Sequence, residues 1–359
     1  MEKELETQWA AAITAPFVET CVKKPIQHPK TGEAMVKVNL VGICGSDLGR
    51  VAQCLPKNKG MTTGHEFVGT VDQFGPDTDG GDIHLHDRVA VVPLLPCFSC
   101  DFCQKGEYAH CPHYSFLGSR QDGGLEQYVN VPVRNLFPVE DYLDDEGATF
   151  IEPTTVALHA ILKFSTLVNT TAVIIGAGTI GLLALQAFKH LGVEQVAMVD
   201  VVQSKLDLAK SLGADFVCNS LHEGEFRSLQ DILHNSMRTA VVESSGSTVG
   251  KANAILLSQP LGEIVYIGGL SAPWVVDDAQ YQMVLRKELV LKGCWMNYSA
   301  PFPGVEWILA RNWLTRGFID YKHLITHRFG LRDVDKAFAV LFDKKSDAIK
   351  VLVDVTQIP

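Results

Sequence analysis

The sequence predicts two domains: a mostly-β domain and an α/β domain with a doubly wound parallel sheet. The chain has 359 residues, which is more than one hydrophobic core usually serves. Before about residue 150, Gly and Pro repeatedly break short apolar runs, whereas after about residue 165 apolar strands alternate with amphipathic helices. The second pattern predicts parallel strands joined by right-handed crossovers.

The individual elements follow from these two patterns. The mostly-β part has four predicted strands, EAMVKVNLVGICG (33–45), EFVGTVDQFG (66–75), HDRVAVVP (86–93) and LEQYVNVP (125–132). The α/β part has six, TAVIIG (171–176), EQVAMVD (194–200), ADFVCN (214–219), TAVVESSG (239–246), EIVYIGG (263–269) and LVLKGCW (289–295). Helices are predicted at 179–190, 203–211 and near VEWILARNWLTR (305–316), and a final strand at IKVLVDV (349–355).

Composition argues against several classes of protein. The net charge of −10 argues against a nucleic-acid binder, which normally presents a basic face. The N-terminus, MEKELETQ, is acidic and no apolar run follows it, so no secretory signal is predicted and we expect a cytoplasmic protein. Thiols stay reduced there, and nine cysteines cannot all pair, so disulfides are not expected.

One uncharged stretch, residues 164–188 (FSTLVNTTAVIIGAGTIGLLALQAF), is long enough to span a bilayer. Its glycines at 176, 178 and 181 lie in the middle of the run, where the apolar pattern changes from β-branched to helical. We therefore interpret it as a buried strand, turn and helix, and expect no membrane association.

Four cysteines occur with the spacing C-x2-C-x2-C-x7-C, at Cys97, Cys100, Cys103 and Cys111. The two short spacings let three thiolates converge from one loop, and the seven residues before the last cysteine are enough to bring in the fourth. Four converging thiolates suit tetrahedral zinc. A redox CxxC pair and an iron–sulfur cluster are the alternatives, and the spacing and loop composition favour them less. Zinc with four thiolates has no open position, so the chemistry is expected elsewhere.

A second metal site is predicted from GICGSD (42–47) and TGHEFVG (63–69). Cys44 offers a thiolate and His65 an imidazole, and either Glu66 or the distant Glu152 offers a carboxylate. Three mixed ligands leave a position for water or substrate, as in catalytic zinc sites. The alternative is a buried apolar thiol and a local hydrogen-bonded His–Glu pair.

The segment GAGTIG (176–181) follows a β-branched strand and opens a helix, the context that gives a G-x-G-x-x-G pattern its meaning. The helix N-terminus then offers amides to a pyrophosphate. Asp200 ends the next strand, where a carboxylate accepts from ribose hydroxyls and repels a 2′-phosphate, so NAD is preferred over NADP. Lys205 is a further ribose candidate or a solvated surface lysine. The predicted cofactor-binding residues are Gly176, Gly178, Thr179, Ile180, Gly181, Asp200 and Lys205.

These motifs together resemble the zinc-dependent medium-chain dehydrogenase/reductase superfamily, in its polyol dehydrogenase branch. GICGSD, GHEFVG, the four-cysteine segment, DGGLEQYV, IEPTTVALHA and GAGTIG follow in the family order over nearly the whole chain. Two longer stretches, VPLLPCFSCDFCQKGEYAHCPHYSFLGSRQDGG and GCWMNYSAPFPGVEW, resemble the members of that branch that act on sugar-alcohol phosphates.

The resemblance implies a GroES-like catalytic domain (1–160, with a structural-zinc lobe at 93–115), a Rossmann NAD-binding domain (161–300), a C-terminal completion of the catalytic domain (301–359) and an active site in the cleft. It also implies NAD, two zinc ions per chain, and a homodimer or a tetramer. Cys44, His65 and Glu152 would bind the catalytic zinc, with Glu66 beside them and able to exchange with a ligand. The four clustered cysteines would bind the structural zinc.

Two positions depart from the family pattern. Gly49 stands where many relatives carry a proton-relay histidine, and His86 stands in a turn that usually has Gly. With His84, His86 forms an H-x-H pair, which we interpret as surface histidines rather than a third metal site.

The implied reaction is reversible oxidation of a secondary hydroxyl, most specifically galactitol 1-phosphate to tagatose 6-phosphate. Ser46 would accept the hydroxyl proton while hydride passes to NAD. Arg50 and Arg120 are candidates for a phosphate, or else structural salt-bridge partners, and Asn297 and Tyr298 are candidates for hydroxyls. The alternatives are an unphosphorylated polyol such as sorbitol or xylitol, and a non-catalytic protein that keeps the fold.

Overall fold

A computed structural model describes residues 6–269, 272–343 and 346–359. The chain divides into two compact units. The first unit comprises Met1–Glu152, Tyr298–Arg316 and Tyr321–Pro359, and the second comprises Pro153–Asn297 and Gly317–Asp320. Among the described residues, no helix has the length and apolar character needed to cross a bilayer.

The first unit is mostly β, as its sequence predicts. Its strands are β1 (Thr7–Ala15), β2 (Val18–Pro25), β3 (Glu33–Gly42), β4 (Glu66–Phe74), β5 (Arg88–Val91), β6 (Leu94–Leu95), β7 (Ser115–Phe116), β8 (Tyr128–Pro132), β9 (Leu136–Pro138), β16 (Ile325–Gly330) and β17 (Lys350–Asp354). Its helices are α1 (Gly45–Gln53), α2 (Asp101–Gln104), α3 (Asp145–Ala148), α10 (Val305–Thr315) and α11 (Val334–Phe342). Helix α4 (Ile151–Ile161) begins in the first unit and ends in the second.

Seven of these strands form one sheet in the order β16-β17-β3-β4-β5-β9, with β8 also paired to β3. β3 runs antiparallel to both β4 and β17. The last strand of the chain therefore lies beside the strand that leads into Cys44, because Leu352 of β17 pairs with Gly42. Ala34, Val36 and Val38 of β3 and Phe67 and Val71 of β4 belong to one buried apolar cluster with Phe338 of α11, so this helix packs against the sheet.

The second unit is the doubly wound α/β domain. Its strands are β10 (Thr171–Ile175), β11 (Gln195–Asp200), β12 (Phe216–Asn219), β13 (Thr239–Glu243), β14 (Glu263–Tyr266) and β15 (Val290–Gly293). Its further helices are α5 (Thr179–His190), α6 (Gln203–Ser211), α7 (Glu223–His234), α8 (Thr248–Leu257) and α9 (Asp278–Arg286). All six strands are parallel, in the order β12-β11-β10-β13-β14-β15. The order reverses at β10, which places a topological switch point at the carboxyl ends of β10 and β13.

The six α/β strands and the helices at 179–190 and 203–211 are confirmed at or close to their predicted positions. The bilayer-length stretch divides into β10 and α5 with Gly176 and Gly178 between them, which confirms its interpretation as a buried strand, turn and helix. β10 is buried on both faces along its whole length. This explains why its sequence is a continuous apolar run rather than an alternation of apolar and polar residues.

Candidate metal centres and dinucleotide-binding loop

The four clustered cysteines converge on one point. Each offers its Sγ atom, and the four sulfur atoms all lie within 4.8 Å of one another. The loop is shaped by a left-handed Phe98 (φ 56°) and by the short helix α2, which starts directly after Cys100. Hydrogen bonds from Ser99 lower the pKa of the Cys97 thiol to about 5, whereas burial and the neighbouring thiols raise the pKa of Cys103 to about 12. The donor set fits a tetrahedral zinc without an open position.

A second cluster joins Cys44, His65 and Glu66, whose ligand atoms also lie within 4.8 Å of one another. The sheet brings them together, because β3 ends at Gly42, β4 begins at Glu66, and these two residues pair across the antiparallel ladder. Gly42 leaves the room that this close approach needs, since a Cβ there would lie 2.6 Å from Glu66 Oε2. A thiol, an imidazole and a carboxylate are a donor set that fits catalytic zinc.

Asp47 supports this cluster from helix α1. Its fully buried carboxylate accepts from the Cys44 amide (3.1 Å) and from Arg50 Nη1 (3.0 Å), and lies 3.3 Å from His65 Nδ1. Burial alone would lower the pKa of His65, but Asp47 and Cys44 outweigh it and raise that pKa well above its ordinary value. Carboxylates in this position orient the ring of a metal-binding histidine. Sequence reasoning missed Asp47, although GICGSD contains it.

The two glutamates proposed from sequence occupy different environments. Glu66 forms a buried ion pair with Lys350 of β17, whose Nζ also lies 3.4 Å from the Ile43 carbonyl oxygen. Glu152 lies in the first turn of α4 and is 8% exposed. Sequence reasoning also missed Lys350, for which the signal was a lysine inside the otherwise apolar segment IKVLVDV.

Ser46 lies directly beside the cluster. Its hydroxyl donates to Cys44 Sγ over 3.4 Å and accepts from Arg50 Nη1 over 3.2 Å. Arg50 is one turn further along α1 and contacts Ser46 and Asp47 together. A hydroxyl next to a metal-binding thiol is placed to exchange a proton with a group bound at the metal.

The other predicted substrate residues lie on separate segments. Arg120 donates to the Tyr114 carbonyl oxygen (2.8 Å), and its guanidinium stacks 3.7 Å from the centre of the Tyr114 ring. Asn297 is buried in the second unit, where its amide donates to Thr155 Oγ1. Tyr298 is buried in the first unit, and burial raises the pKa of its phenol well above the ordinary value, with a further contribution from the charge of Glu152.

The glycine-rich loop between β10 and α5 has the geometry of a pyrophosphate cradle. Gly176 has φ +101°, and a Cβ at Gly181 would lie 1.8 Å from the Gly176 carbonyl oxygen, so neither position admits a side chain. At Gly178 nothing lies within 4 Å of a Cβ position, so a ligand can approach the backbone closely where α5 begins. A helix N-terminus reached through such a glycine turn fits the phosphates of a dinucleotide.

Asp200 ends β11 next to this loop. One carboxylate oxygen accepts from the Ala177 amide (2.6 Å), and the other accepts from the amides of Val201 and Val202. These bonds hold the carboxylate at the carboxyl edge of the sheet, where a ribose hydroxyl can reach it. Lys205 lies in the first turn of α6 and is half-buried.

Comparison with known proteins agrees with both units. The model of the alcohol dehydrogenase GroES-like domain matches residues 30–141, and that of the zinc-binding dehydrogenase family matches residues 179–310. Galactitol 1-phosphate 5-dehydrogenase of Escherichia coli K12 is 40% identical over 297 residues, which are 82% of this chain and 85% of that protein. Sorbitol dehydrogenase of Bacillus subtilis 168 is 28% identical, over 94% of this chain and 93% of that protein.

Solved structures give the same result. The crystal structure of galactitol-1-phosphate dehydrogenase from Escherichia coli is similar with a TM-score of 0.91 and 36% identity, covering 96% of this chain and 99% of that one. An alcohol dehydrogenase (RspB) from Escherichia coli CFT073, solved with NADH, has a TM-score of 0.86 and 29% identity, covering 97% and 99%.

Proposed function

Because the chain belongs to the polyol dehydrogenase branch of the zinc-dependent medium-chain dehydrogenase/reductase family, we propose that it oxidises galactitol 1-phosphate to tagatose 6-phosphate. It is an NAD-dependent oxidoreductase with a GroES-like domain, a Rossmann domain and bound zinc. The cluster of Cys44, His65 and Glu66 with Ser46 against the thiol carries the proposal of hydroxyl oxidation, and the 40% identity to galactitol 1-phosphate 5-dehydrogenase supports the choice of substrate.

When bound, zinc supplies a Lewis acid that makes a hydroxyl more acidic, and NAD supplies the hydride acceptor. Cys44 and His65 hold the metal, and Asp47 orients the His65 ring. Ser46 relays the proton that the substrate hydroxyl releases, because its oxygen takes up that proton as its own hydroxyl proton passes on to water. Arg50 donates to the Ser46 oxygen and so fixes the direction of that hydroxyl.

Glu152 is proposed as the third protein ligand of this zinc. Its burial in the first unit and its charge acting on buried Tyr298 support a position near the reacting groups. Glu66 is its alternate, and the ion pair with Lys350 holds the charge of Glu66 while it is not a ligand. Cys97, Cys100, Cys103 and Cys111 are the proposed ligands of the second, structural zinc.

The phosphate of the substrate is assigned to Arg50 and Arg120, and its hydroxyls to Asn297 and Tyr298. Support comes from the 40% identity to galactitol 1-phosphate 5-dehydrogenase and from the guanidinium of Arg50, which lies near the metal cluster and is 25% exposed. A guanidinium binds phosphate through two parallel hydrogen bonds. The competing proposal is an unphosphorylated polyol, because sorbitol dehydrogenases are also relatives.

The deciding experiment measures NAD⁺ reduction on galactitol 1-phosphate, galactitol, sorbitol and xylitol. We expect galactitol 1-phosphate to have the highest kcat/KM. Arg50→Ala or Arg120→Ala should raise KM for the phosphorylated substrate about 10–100-fold, as loss of a charged hydrogen bond does, without the same rise for galactitol. Arg227→Ala, in an exposed ion pair of α7, is the matched control. Equal rates on free and phosphorylated polyols, or no selective rise of KM in either variant, would show that the phosphate assignment is wrong.

A homodimer is the proposed assembly, with a tetramer as the alternative, and the cytoplasm the proposed location. β15 is the last strand at one edge of the parallel sheet, and Val290, Leu291 and Trp295 on and beside it are 45%, 41% and 61% exposed. An exposed apolar edge strand favours pairing with a second copy.

A further inference from the structure

Glu243 is a fully buried carboxylate at the carboxyl end of β13. β13 pairs with β10, and Glu243 stands in register with Ile175, the residue before the glycine-rich loop. On the other side it stands opposite Tyr266 of β14. Glu243 therefore lies at the switch point of the sheet, and the assigned cofactor-binding residues do not include it.

The Glu243 side chain binds the turn that follows it. Its Oε1 atom accepts from the amides of Ser245 (3.0 Å) and Gly246 (3.0 Å) and from the Ser245 hydroxyl. Consecutive amides of this kind form a small anion-binding turn, and here the chain's own carboxylate fills it. Lys251 of α8 is also buried and donates to the Gly246 carbonyl oxygen (2.6 Å), so the turn is held from both sides.

The Glu243 backbone binds a second loop. Its carbonyl oxygen accepts from the amides of Ile267 and Gly268, each over 3.0 Å. The two loops touch without space between them, because a Cβ at Gly268 would lie 2.2 Å from the Gly246 nitrogen. The shape of one loop thus determines the shape of the other.

The turn after Glu243 also contacts the pyrophosphate loop. The Ser244 amide donates to the Ile175 carbonyl oxygen (2.9 Å), and the Ser244 hydroxyl lies 3.1 Å from the Gly176 carbonyl oxygen. A Cβ at Gly176 would lie 2.9 Å from the Ser245 nitrogen. The backbone of Ser244 and Ser245 thus lies directly against Gly176, so a displacement of the turn would change the shape of the loop where the dinucleotide binds.

We propose that Glu243 is a positioning residue for NAD. Glu243 joins the 244–246 turn and the 267–269 loop to the glycine-rich loop and so fixes the form of the dinucleotide site. Its carboxylate does not touch the cofactor in this role. It fills an anion-binding turn beside the pyrophosphate loop and keeps that turn closed. Loss of the carboxylate leaves the Ser245 and Gly246 amides without their acceptor and loosens the 244–246 turn against the two loops it touches, while the backbone bonds of residue 243 remain.

Glu263 offers a matched control. It is also a buried glutamate of this sheet, paired with Lys292 and accepting from the Ser165 amide, but it begins β14 and thus lies at the opposite edge from Glu243. A general loss of stability should follow from replacing either residue. A change in cofactor affinity should follow only from replacing Glu243.

The test measures the Kd of NADH by its fluorescence enhancement in the zinc-loaded, full-length protein. Glu243→Ala is expected to raise Kd about tenfold or more, since at least two hydrogen bonds of the site's frame are lost. Glu243→Gln keeps one acceptor oxygen and should raise Kd less, by about three- to tenfold. If Glu243→Ala does not fold, the Kd of Glu243→Gln alone decides the test. The zinc content and the kcat at saturating NAD⁺ should stay close to those of the wild type.

Hydrogen exchange of the cofactor-free protein gives an independent readout. The amides of Ser245 and Gly246 should exchange faster in the Glu243 variants and at the wild-type rate in Glu263→Ala. Those of Ile267 and Gly268 should change less, because the carbonyl oxygen of residue 243 remains their acceptor. The proposal is wrong if Kd in the folded Glu243 variants stays within about twofold of the wild type, or if Glu263→Ala raises Kd as much as Glu243→Ala does.

Discussion

At the scale of single residues, buried carboxylates determine much of the first unit's site. Asp47 accepts from the Cys44 amide and the Arg50 guanidinium and lies 3.3 Å from the His65 ring, so one buried carboxylate faces all three groups. Glu19, on β2, is fully buried and accepts from the Thr63 amide (3.1 Å) and the Thr63 hydroxyl (2.8 Å). Thr63 lies two residues before His65. These acids hold the loop that carries a proposed zinc ligand.

Glu19 gives a prediction about pH and stability. Burial raises the pKa of Glu19 from 4.5 to about 8, with Thr63 and Lys24 opposing and Asp47 adding to the rise. Between these two values the folded state holds a proton that the unfolded state has lost, so stability falls as pH rises from about 4.5 to about 8. The loss should be on the order of a few kcal/mol.

Glu19→Gln should remove this fall, as measured by urea midpoints from pH 5 to pH 9. Glu223→Gln, at an exposed site on α7, is the control and should keep the wild-type slope. A variant at Glu19 with the same slope as the wild type would show that Glu19 does not titrate in this range.

Some of these residues could be predicted from sequence and others could not. The four cysteines and the G-x-G-x-x-G loop are local patterns, and their spacing alone brings the groups together. Lys350 is 284 residues from Glu66, and only the pairing of β17 with β3 brings it to the site. Contacts of this range depend on sheet order, which the spacing of residues does not contain.

At the scale of elements, the ends of β3, β4 and β17 build the metal cluster. β3 leads to Cys44, β4 begins at Glu66, and β17 begins at Lys350. The buried pair of Lys350 and Glu66 therefore joins the end of the chain to the proposed catalytic centre. Removing one partner of such a pair leaves a buried charge without compensation.

Lys350→Met should consequently destabilise the protein by about 3–5 kcal/mol, measured by denaturant unfolding. The double variant with Glu66→Gln should recover much of that loss, because no uncompensated charge remains. Lys336→Met, on α11, removes an exposed ion pair with Asp333, the residue before that helix, and should cost less than about 1 kcal/mol. An unfolding midpoint of Lys350→Met equal to that of the wild type would contradict this role of the pair.

Some helices and strands could be predicted from sequence and others could not. Helices α5 and α6 follow strands in an alternating pattern and were predicted at 179–190 and 203–211. Helix α1 was not predicted, since GSDLGRVAQ contains two glycines and is short, and its first turn is capped by the Cys44 side chain. The hairpin of β1 and β2 was also missed, because neither strand has a Gly or Asn turn signal at Phe17.

At the scale of the whole molecule, the exposed edge strand β15 leads to a prediction about assembly. Leu291→Lys places a charge on the proposed pairing edge and should shift the protein from dimer towards monomer in sedimentation equilibrium. Leu221→Lys, at a 73% exposed position after β12, should leave the mass unchanged. A Leu291→Lys protein with the wild-type mass would remove β15 from the interface.

The account as a whole depends on metal chemistry at the cluster of Cys44 and His65. The most direct test strips the protein of zinc, measures NAD⁺ reduction on the best polyol or polyol phosphate, and then restores two zinc ions per chain. The account predicts that reduction stops in the zinc-free protein while NADH still binds, and that it returns with the metal. Undiminished turnover in protein shown to contain no zinc would contradict it.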